Sequence, residues 1–402
     1  MNYNSKQILG NLVEYVAKGI PPKYTDNENE NTILVLNQKT NRNFRINFEL
    51  ARLNDTTKKR VAEEKILKKY DILINSTGVG TAGRIAQLGN IHRKMTVDGH
   101  MVIVRANASK IDPLYLGYAL KAQQKAIEGL QEGSTGQTEL NRQRLLNEIV
   151  VEFPVSLELQ REIGNLFRAI DDRIDLNGKI NHHLEQMAQA IFKSWFVDFE
   201  PWGGVMPSDW STGNLLDIAD YLNGLAMQRF RPVEGEVGLP VLKIKELRQG
   251  RCDKSSELCS PNIRADYIVR DGDVIFSWSG SLLVDFWCGG DCGLNQHLFK
   301  VTSTKYDKWF YYAWTRHHLE QFIAIAADKA TTMGDIKREN LKNAEVLIPS
   351  TKNYAAAGEL LAPIYEKFIG IRLESARLAT LRDTLLPRLM SGELSVADLA
   401  AK

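Results

Sequence analysis

The feature that most constrains the fold of this chain is an internal repeat. The stretch GNLVEYVAKG, beginning at Gly10, returns as GNLLDIADYLNG from Gly213. YDILINSTG (70–78) returns as GDVIFSWSG (272–280), and DGHMVIVRANASKIDPLYLGYAL (98–120) as LNQHLFKVTSTKYDKWFYYAW (294–314). GQTELNRQRLLNEIVVEFP (136–154) returns as TMGDIKRENLKNAEVLIP (332–349). The offset stays between 195 and 203 residues, and four matches in one order are strong evidence of duplication. A chain of 402 residues has room for two ordinary cores. The repeat therefore predicts two globular units of one design.

The second copy also tests motifs found in the first. Gly78-Val79-Gly80-Thr81-Ala82-Gly83 matches the dinucleotide fingerprint G-x-G-x-x-G. That chemistry needs a strand before the loop and a helix after it, because the helix N-terminus holds the pyrophosphate. Tyr70–Ile74 reads as the strand. Arg84–Asn90 alternates at period two and stops at Gly89-Asn90, as a second strand would. No acidic residue closes a second strand about twenty positions on. In the other copy Gly280 is followed by Ser281-Leu282-Leu283-Val284, so two of the three glycines are lost. A strand and tight turn accounts for both copies, whereas a cofactor loop accounts for one. Asp112-Pro113-Leu114-Tyr115 faintly matches the D-P-P-Y loop of adenine methyltransferases, but its counterpart Asp307-Lys308-Trp309-Phe310 has no proline. Ser134-Thr135-Gly136-Gln137-Thr138 has no lysine before Thr138, as a phosphate loop would require.

Each copy ends in a long helical pattern. From Glu158 to Phe196, apolar residues fall at Ile163, Phe167, Ile170, Ile174, Leu184, Ala188, Ile191 and Trp195, with Asn177 and Asn181 filling the two missing seam positions. These steps of four and three mark a heptad seam. The second pattern runs from about Ala357 to Leu386 through Leu361, Ile364, Phe368, Ile371, Leu378, Leu381 and Leu385, and is expected to stop at Pro387. Both exceed the usual globular helix. Buried asparagines in a seam fix register and partner choice at a cost in stability. Two such helices, each without another partner nearby, are expected to pack as an antiparallel coiled coil.

Charge excludes one class of protein: with 51 basic and 49 acidic residues, net +2, the chain is not a uniformly basic nucleic-acid binder, though local basic faces remain possible. No apolar run approaches 18 residues, and the N-terminus lacks the apolar stretch of a signal peptide, so a cytoplasmic address is expected. Cys252, Cys259, Cys288 and Cys292 lack the C-x2-C spacing of common zinc sites and read as reduced thiols.

The stretch LNGKINHHLEQMAQAIFKSWFVDFEPW (176–202) resembles the central conserved region of the specificity subunits of type I restriction-modification enzymes. Its Phe192-Lys193-Ser194-Trp195-Phe196 run, followed by Asp198-Phe199, is the most telling part. LRDTLLPRLMSGEL (381–394) resembles the distal conserved region. The resemblance implies an α+β protein with two repeated α/β target-recognition domains, residues 1–155 and 201–352. Two long helices, within 156–200 and 353–402, separate them as an antiparallel coiled coil with pseudo-twofold symmetry. It further implies that each domain reads half of a bipartite double-stranded DNA target. By the same resemblance the helices are expected to dock two methyltransferase (modification) subunits and to set the spacer between half-sites, with restriction-translocase subunits joining the assembly. The chain shows no complete methyl-donor motif, Walker A lysine or nuclease triad. It is therefore expected to be non-catalytic and to bind neither cofactor nor metal. S-adenosylmethionine, ATP and magnesium are expected only in the partner subunits.

Sequence is read by base-edge contacts, while phosphate contacts set register. Candidate readers in the first domain are Ser76, Thr77, Gly78, Gly80, Arg84 and His100, then Ser134, Thr135, Gln137, Asn141 and Arg142. In the second they are Ser277, Trp278, Ser279, Gln296, His297, Lys329, Thr331, Thr332 and Lys337. Lys243, Lys245, Arg248 and Arg251 form a further basic strand and turn. His100 and His297 recur at equivalent places, which favours a shared structural role, since readers of different half-sites ought to differ. Ile170, Ile174, Asn177, Asn181, Leu184, Trp195, Phe196, Leu378, Leu381 and Leu385 are the coiled-coil and partner-docking candidates. Competing readings are the recognition half of a single-chain restriction-methylation enzyme, a coiled-coil scaffold without a DNA role, and a dinucleotide-dependent oxidoreductase resting on Gly78, Gly80 and Gly83.

Overall fold

The computed structural model describes residues 5–78, 80–133, 138–328 and 335–396. They fall into two compact units, one of Met1–Asp172 with Thr380–Lys402 and one of Arg173–Ala379. The first unit is therefore discontinuous in sequence, and the division passes through both long helices.

The first unit holds an antiparallel sheet in the order Val13–Lys18, Met101–Ala106, Ile72–Asn75, Ile85–Gln87. The two central strands are apolar along nearly their whole length and are buried on both faces, as covered strands are. On one side Leu73 and Ile103 pack with Leu36, Val97 and Met101. A second sheet pairs Met95–Val97 parallel to Thr32–Leu36, and Ser5–Ile8 pairs antiparallel with Val150–Phe153.

The second unit repeats this plan element by element. Its antiparallel sheet runs Asp220–Asn223, Leu298–Thr302, Val274–Ser277, Leu283–Phe286. Cys292–Leu294 lies parallel to Leu239–Leu242, and Ser211–Asn214 pairs antiparallel with Glu345–Ile348. Both units carry the same helix after the last central strand, Pro113–Ala122 and Lys308–His317. Asp112 caps the first of these by accepting from the Tyr115 N–H, so this Asp-Pro pair is a helix start.

The long helices are Leu157–Phe196 and Thr351–Met390, 40 residues each. Within the first unit Asp171 meets Arg382. Within the second, Arg173 meets Glu374 and Asn177 meets Ser375. Further along the second unit Glu185 lies near Tyr365, so from Arg173 to Glu185 the partner numbers fall overall and the pairing there is antiparallel. The second helix differs from its expected bounds, starting at Thr351 and passing through Pro387 to Met390. An interior proline costs roughly 3 kcal/mol. Burying a large apolar side chain returns roughly 1.5–3 kcal/mol, and Leu386, Leu389 and Met390 are all buried around Pro387. The seam also departs from its expected line. Leu381 is exposed, and its place is taken by Arg382 paired with Asp171. Leu378 and Leu385 are half-buried.

Candidate nucleic-acid interface

In each unit the strand that ends at Asn75 or Ser277 runs into a short segment bridged to a distant stretch. Thr77 bridges Glu139, and Ser279 bridges Asp335. The Leu140 N–H donates to the Ser76 carbonyl at 2.7 Å, and the Ile336 N–H to the Trp278 carbonyl at 2.9 Å. Beside this segment lies a tight turn. The His100 N–H donates to Asp98 Oδ1 at 2.9 Å, and the His297 N–H to Asn295 Oδ1 at 3.3 Å. The two units thus present one main-chain framework at one end of the central strands.

The side chains on that framework differ. In the first unit Ser76 Oγ donates to Glu139 Oε1 at 3.3 Å, and Lys18 forms an ion pair with the same carboxylate. That ammonium holds Glu139 below the usual carboxylate range. Thr77 Oγ1 lies 2.8 Å from His100 Nδ1, with His100 exposed. Burial pushes the Asp98 carboxyl up, against the pull of the His100 N–H.

In the second unit the place of Ser76 is taken by Trp278, whose indole N–H donates to Asn223 Oδ1 at 3.0 Å. Trp278 packs at a tilt against Phe299 and lies near the His297 ring. An open cavity of about 580 Å³ adjoins it, lined by Tyr221, Asn223, Trp278, Phe299, Ile336 and Lys337 among others. One address therefore carries a charged, hydrogen-bonded cluster in the first unit and an aromatic-walled recess in the second. Lys18, Glu139, Asn223 and Asp335 were missed by sequence reasoning. The signal available was the alignment of Glu139 with Asp335 inside a segment already recognised as repeated.

Gly78, Gly80 and Gly83 all have left-handed φ values, 108°, 67° and 82°, and the next element is the strand Ile85–Gln87. The loop joins two antiparallel strands, and among its described residues there is no helix N-terminus to hold a pyrophosphate. Arg84 donates to the Gly80 carbonyl at 2.9 Å and so braces this turn.

Several candidates are committed elsewhere. Ser277 is fully buried and donates to the Ser279 carbonyl, and Ser279 itself is buried. Neither hydroxyl is available to a ligand. Asn141 caps the helix Arg142–Glu148 by accepting from Arg144 N–H at 3.1 Å and donates to Glu132 at 2.6 Å, so both ends of its amide are occupied. Lys337 stands at the corresponding cap, where its N–H donates to Asn340 Oδ1; its side chain and Arg142 are exposed. Gln296 Nε2 lies 3.3 Å from the His297 ring. The expected basic strand and turn at 243–251 is a helix, Ile244–Gln249, because the Glu246 carboxylate reaches back to the Lys243 N–H and starts it. Lys243 pairs with Glu257, and Lys245 donates to Ser255 at 2.7 Å; Arg248 is exposed. Ser134, Thr135, Gln137, Lys329, Thr331 and Thr332 lie outside the described residues.

Among the docking candidates Ile170, Asn177 and Phe196 are buried, Leu381 is exposed and the others are half-buried. Phe196 is fully buried against Phe192, Trp210, Phe310 and Trp314, inside the core of its own unit. It is not a docking residue, and Trp195 leans edge-on against Trp202. Ile170 and Asn177 are buried, while Ile174, Asn181 and Leu184 are half-buried along the seam. Apolar side chains that do reach the surface of these helices are Leu176, Met187, Leu360 and Leu381. Among the described residues no helix is long and apolar enough to cross a membrane.

Comparison with known proteins places this architecture. The chain is similar to the MjaIX specificity subunit of a type I restriction enzyme from Methanocaldococcus jannaschii, with 26% identity over 84% of this chain and 82% of the relative. It is also similar to the HindI specificity subunit from Haemophilus influenzae, with 19% identity over 94% and 98%. The crystal structure of a type I restriction-modification S subunit from M. genitalium shares the fold, with a TM-score of 0.61 at 16% identity over 97% of each chain. The family model for the type I restriction modification DNA specificity domain matches twice, over residues 5–186 and 207–382. With two copies of that domain spanning most of its length, the chain belongs to the type I restriction modification DNA specificity family.

Proposed function

We propose that this protein is the DNA sequence-specificity subunit of a type I restriction-modification complex, each unit reading one half of a bipartite target. One observation carries the reading: two units share a main-chain framework at the same end of the central strands and differ in the side chains mounted on it. A device that reads two different half-sites needs a constant frame and variable contacts. In the first unit Thr77, His100 and the Lys18–Glu139 pair face the base edges. In the second Trp278, Asn223 and the recess beside them do so, with the exposed Lys337 and Arg338 at the rim of that recess contacting phosphates. Hydrogen bonds to base edges carry sequence information and phosphate contacts set register.

The chain itself performs no chemistry in this reading. Adenine methylation and ATP-dependent cleavage reside in partner subunits, which hold S-adenosylmethionine, ATP and magnesium. Two methyltransferase subunits dock on the long helices, where Leu176 and Leu381 supply exposed apolar anchors, and the helices set the spacer. With near-balanced charge, DNA affinity of the isolated chain is weak, because phosphate neutralisation supplies much of such affinity.

The test is domain exchange. The chain is expressed with its methyltransferase in a host lacking other adenine methylation, and methylated adenines are mapped. Replacing residues 205–350 with the corresponding domain of another family member changes one half of the methylated motif and leaves the other intact. A change in both halves would sink the modular reading, and methylation by the partner-free chain would sink the non-catalytic one.

A further inference from the structure

Two thiols of the second unit lie in contact. Cys252 Sγ and Cys292 Sγ are 3.7 Å apart. Cys252 is half-buried in an irregular segment just after Gly250, which ends the helix Ile244–Gln249 in a left-handed conformation. Cys292 is buried on the strand Cys292–Leu294, its sulfur also 3.2 Å from the Gly290 carbonyl. The remaining thiols, Cys259 and Cys288, are both buried.

We propose that Cys252 and Cys292 form a redox-active dithiol, the site of a reversible disulfide in this protein. A disulfide holds its sulfurs about 2.05 Å apart, so closure needs roughly 1.7 Å of approach. One partner is fixed on a strand, and the other sits on a segment with no helix or strand hydrogen bonds to break. Accessibility divides the labour. Cys252 meets the oxidant, and Cys292, shielded but adjacent, resolves the product. The hydrogen bond between the two sulfurs holds Cys252 below the ordinary thiol value. This works against burial and the nearby Glu246 and Asp253 carboxylates. Burial pushes Cys288 up to about 11, which keeps it protonated and unreactive.

The oxidant is a peroxide. The Cys252 thiolate attacks one peroxide oxygen, the O–O bond breaks, and hydroxide leaves and takes up a proton as water. Cys252 is then a sulfenic acid, oxidised by two electrons. The Cys292 sulfur gives up its proton and displaces the sulfenic hydroxyl as a second water, forming the S–S bond. Two thiols and one hydrogen peroxide become one disulfide and two waters. The bond ties the end of the helix bearing Lys245 and Arg248 to a strand whose next residue, Asn295, donates from its N–H to the Leu242 carbonyl. The proposal rests on this thiol geometry and stands independently of the DNA-reading role.

The purified chain is treated with hydrogen peroxide, quenched by alkylation and digested without reductant. The expected result is a loss of two hydrogens in intact mass and one linked pair of peptides containing Cys252 and Cys292, reversed by a dithiol reductant. In Cys292→Ser, Cys252 stops at the sulfenic acid and is captured by dimedone. Cys288→Ser, which leaves the pair untouched, retains the link. A linkage through Cys259 or Cys288, a link only between molecules, or four thiols still free after peroxide would overturn the proposal. The map of the unmodified chain decides this even if the Cys292 variant fails to fold.

Discussion

Gly19 and Gly224 occupy the same point of the two units, where a strand end crosses the turn that carries Asp98 or Asn295. A Cβ on Gly19 would lie 2.0 Å from the Val97 carbonyl oxygen, and one on Gly224 2.2 Å from that of Asn295. The opposing atoms are backbone, so no rotamer change relieves the clash. Overpacking usually costs 1–3 kcal/mol. We expect Gly19→Ala and Gly224→Ala each to sit near the top, about 3 kcal/mol, read as a lower urea midpoint. A loss below about 1 kcal/mol would mean that the crossing is not a fixed point of the fold. In the sequence these glycines are visible as matching ends of GNLVEYVAKG and GNLLDIADYLNG. Their reason is not, because it depends on a turn more than 70 residues away, at Val97 or Asn295.

At the scale of elements, the pairing of the two long helices within the first unit centres on a buried charge cluster. Asp171 accepts from Arg382 at 2.7 Å and from Tyr118 Oη at 2.8 Å, with Lys121 Nζ at 3.4 Å. Burial pushes Asp171 up, but Lys121, Arg382 and Tyr118 together outweigh it and hold the carboxyl below its usual range. Its stabilisation is therefore present above an ordinary carboxylate pKa, near 4, and is lost as pH falls through the lowered folded value. Lys121 behaves oppositely. Burial pushes it from 10.5 down to about 8, so between those values the unfolded chain keeps a proton the folded chain has lost. Stability contributed by this group rises with pH across that window. Asp171→Asn strands two buried cations and should cost about 3 kcal/mol at neutral pH. Lys121→Met should flatten the alkaline slope of a stability-against-pH curve, and an unchanged slope would refute the assignment. The heptad pattern showed these helices and their partnership. It did not show Arg382 in the seam at the expense of Leu381, because periodicity scores a charged residue as surface. Nor did it show a helix passing through Pro387, where local packing outweighs a strong breaker. Asn177 and Asn181 were legible as seam residues, and Asn177 finds Ser375 across the pair. The site was only half legible. The loop at Ser76 and Trp278 could be located by repeat alignment, whereas Lys18 and Asn223 enter it from a strand far away in sequence.

For the whole molecule, the first unit is completed by Thr380–Lys402, which brings Arg382, Leu386 and Leu389 to residues 1–172. Ending the chain at Ala379 should therefore destabilise the first unit selectively. Amide exchange should accelerate around Phe167, Asp171 and Tyr118, while the sheet built on Val274–Ser277 and Leu298–Thr302 keeps its protection. Equal loss in both units would show that they do not fold as the contacts divide them. The repeat revealed two modules, but not that one is split, because the closing segment lies beyond the second copy. The split has a consequence in time. A ribosome adding about 5–20 residues per second takes roughly 10–50 s to travel from Asp172 to the end of the chain. Throughout that interval the charge cluster at Asp171 and the apolar seat around Phe167 wait without their last partner. The second unit, Arg173–Ala379, is contiguous and nested inside the first, so it is complete the moment it emerges. The module made second is the one finished first, and the nascent first module is the part of the newborn protein most exposed to chaperones and proteases.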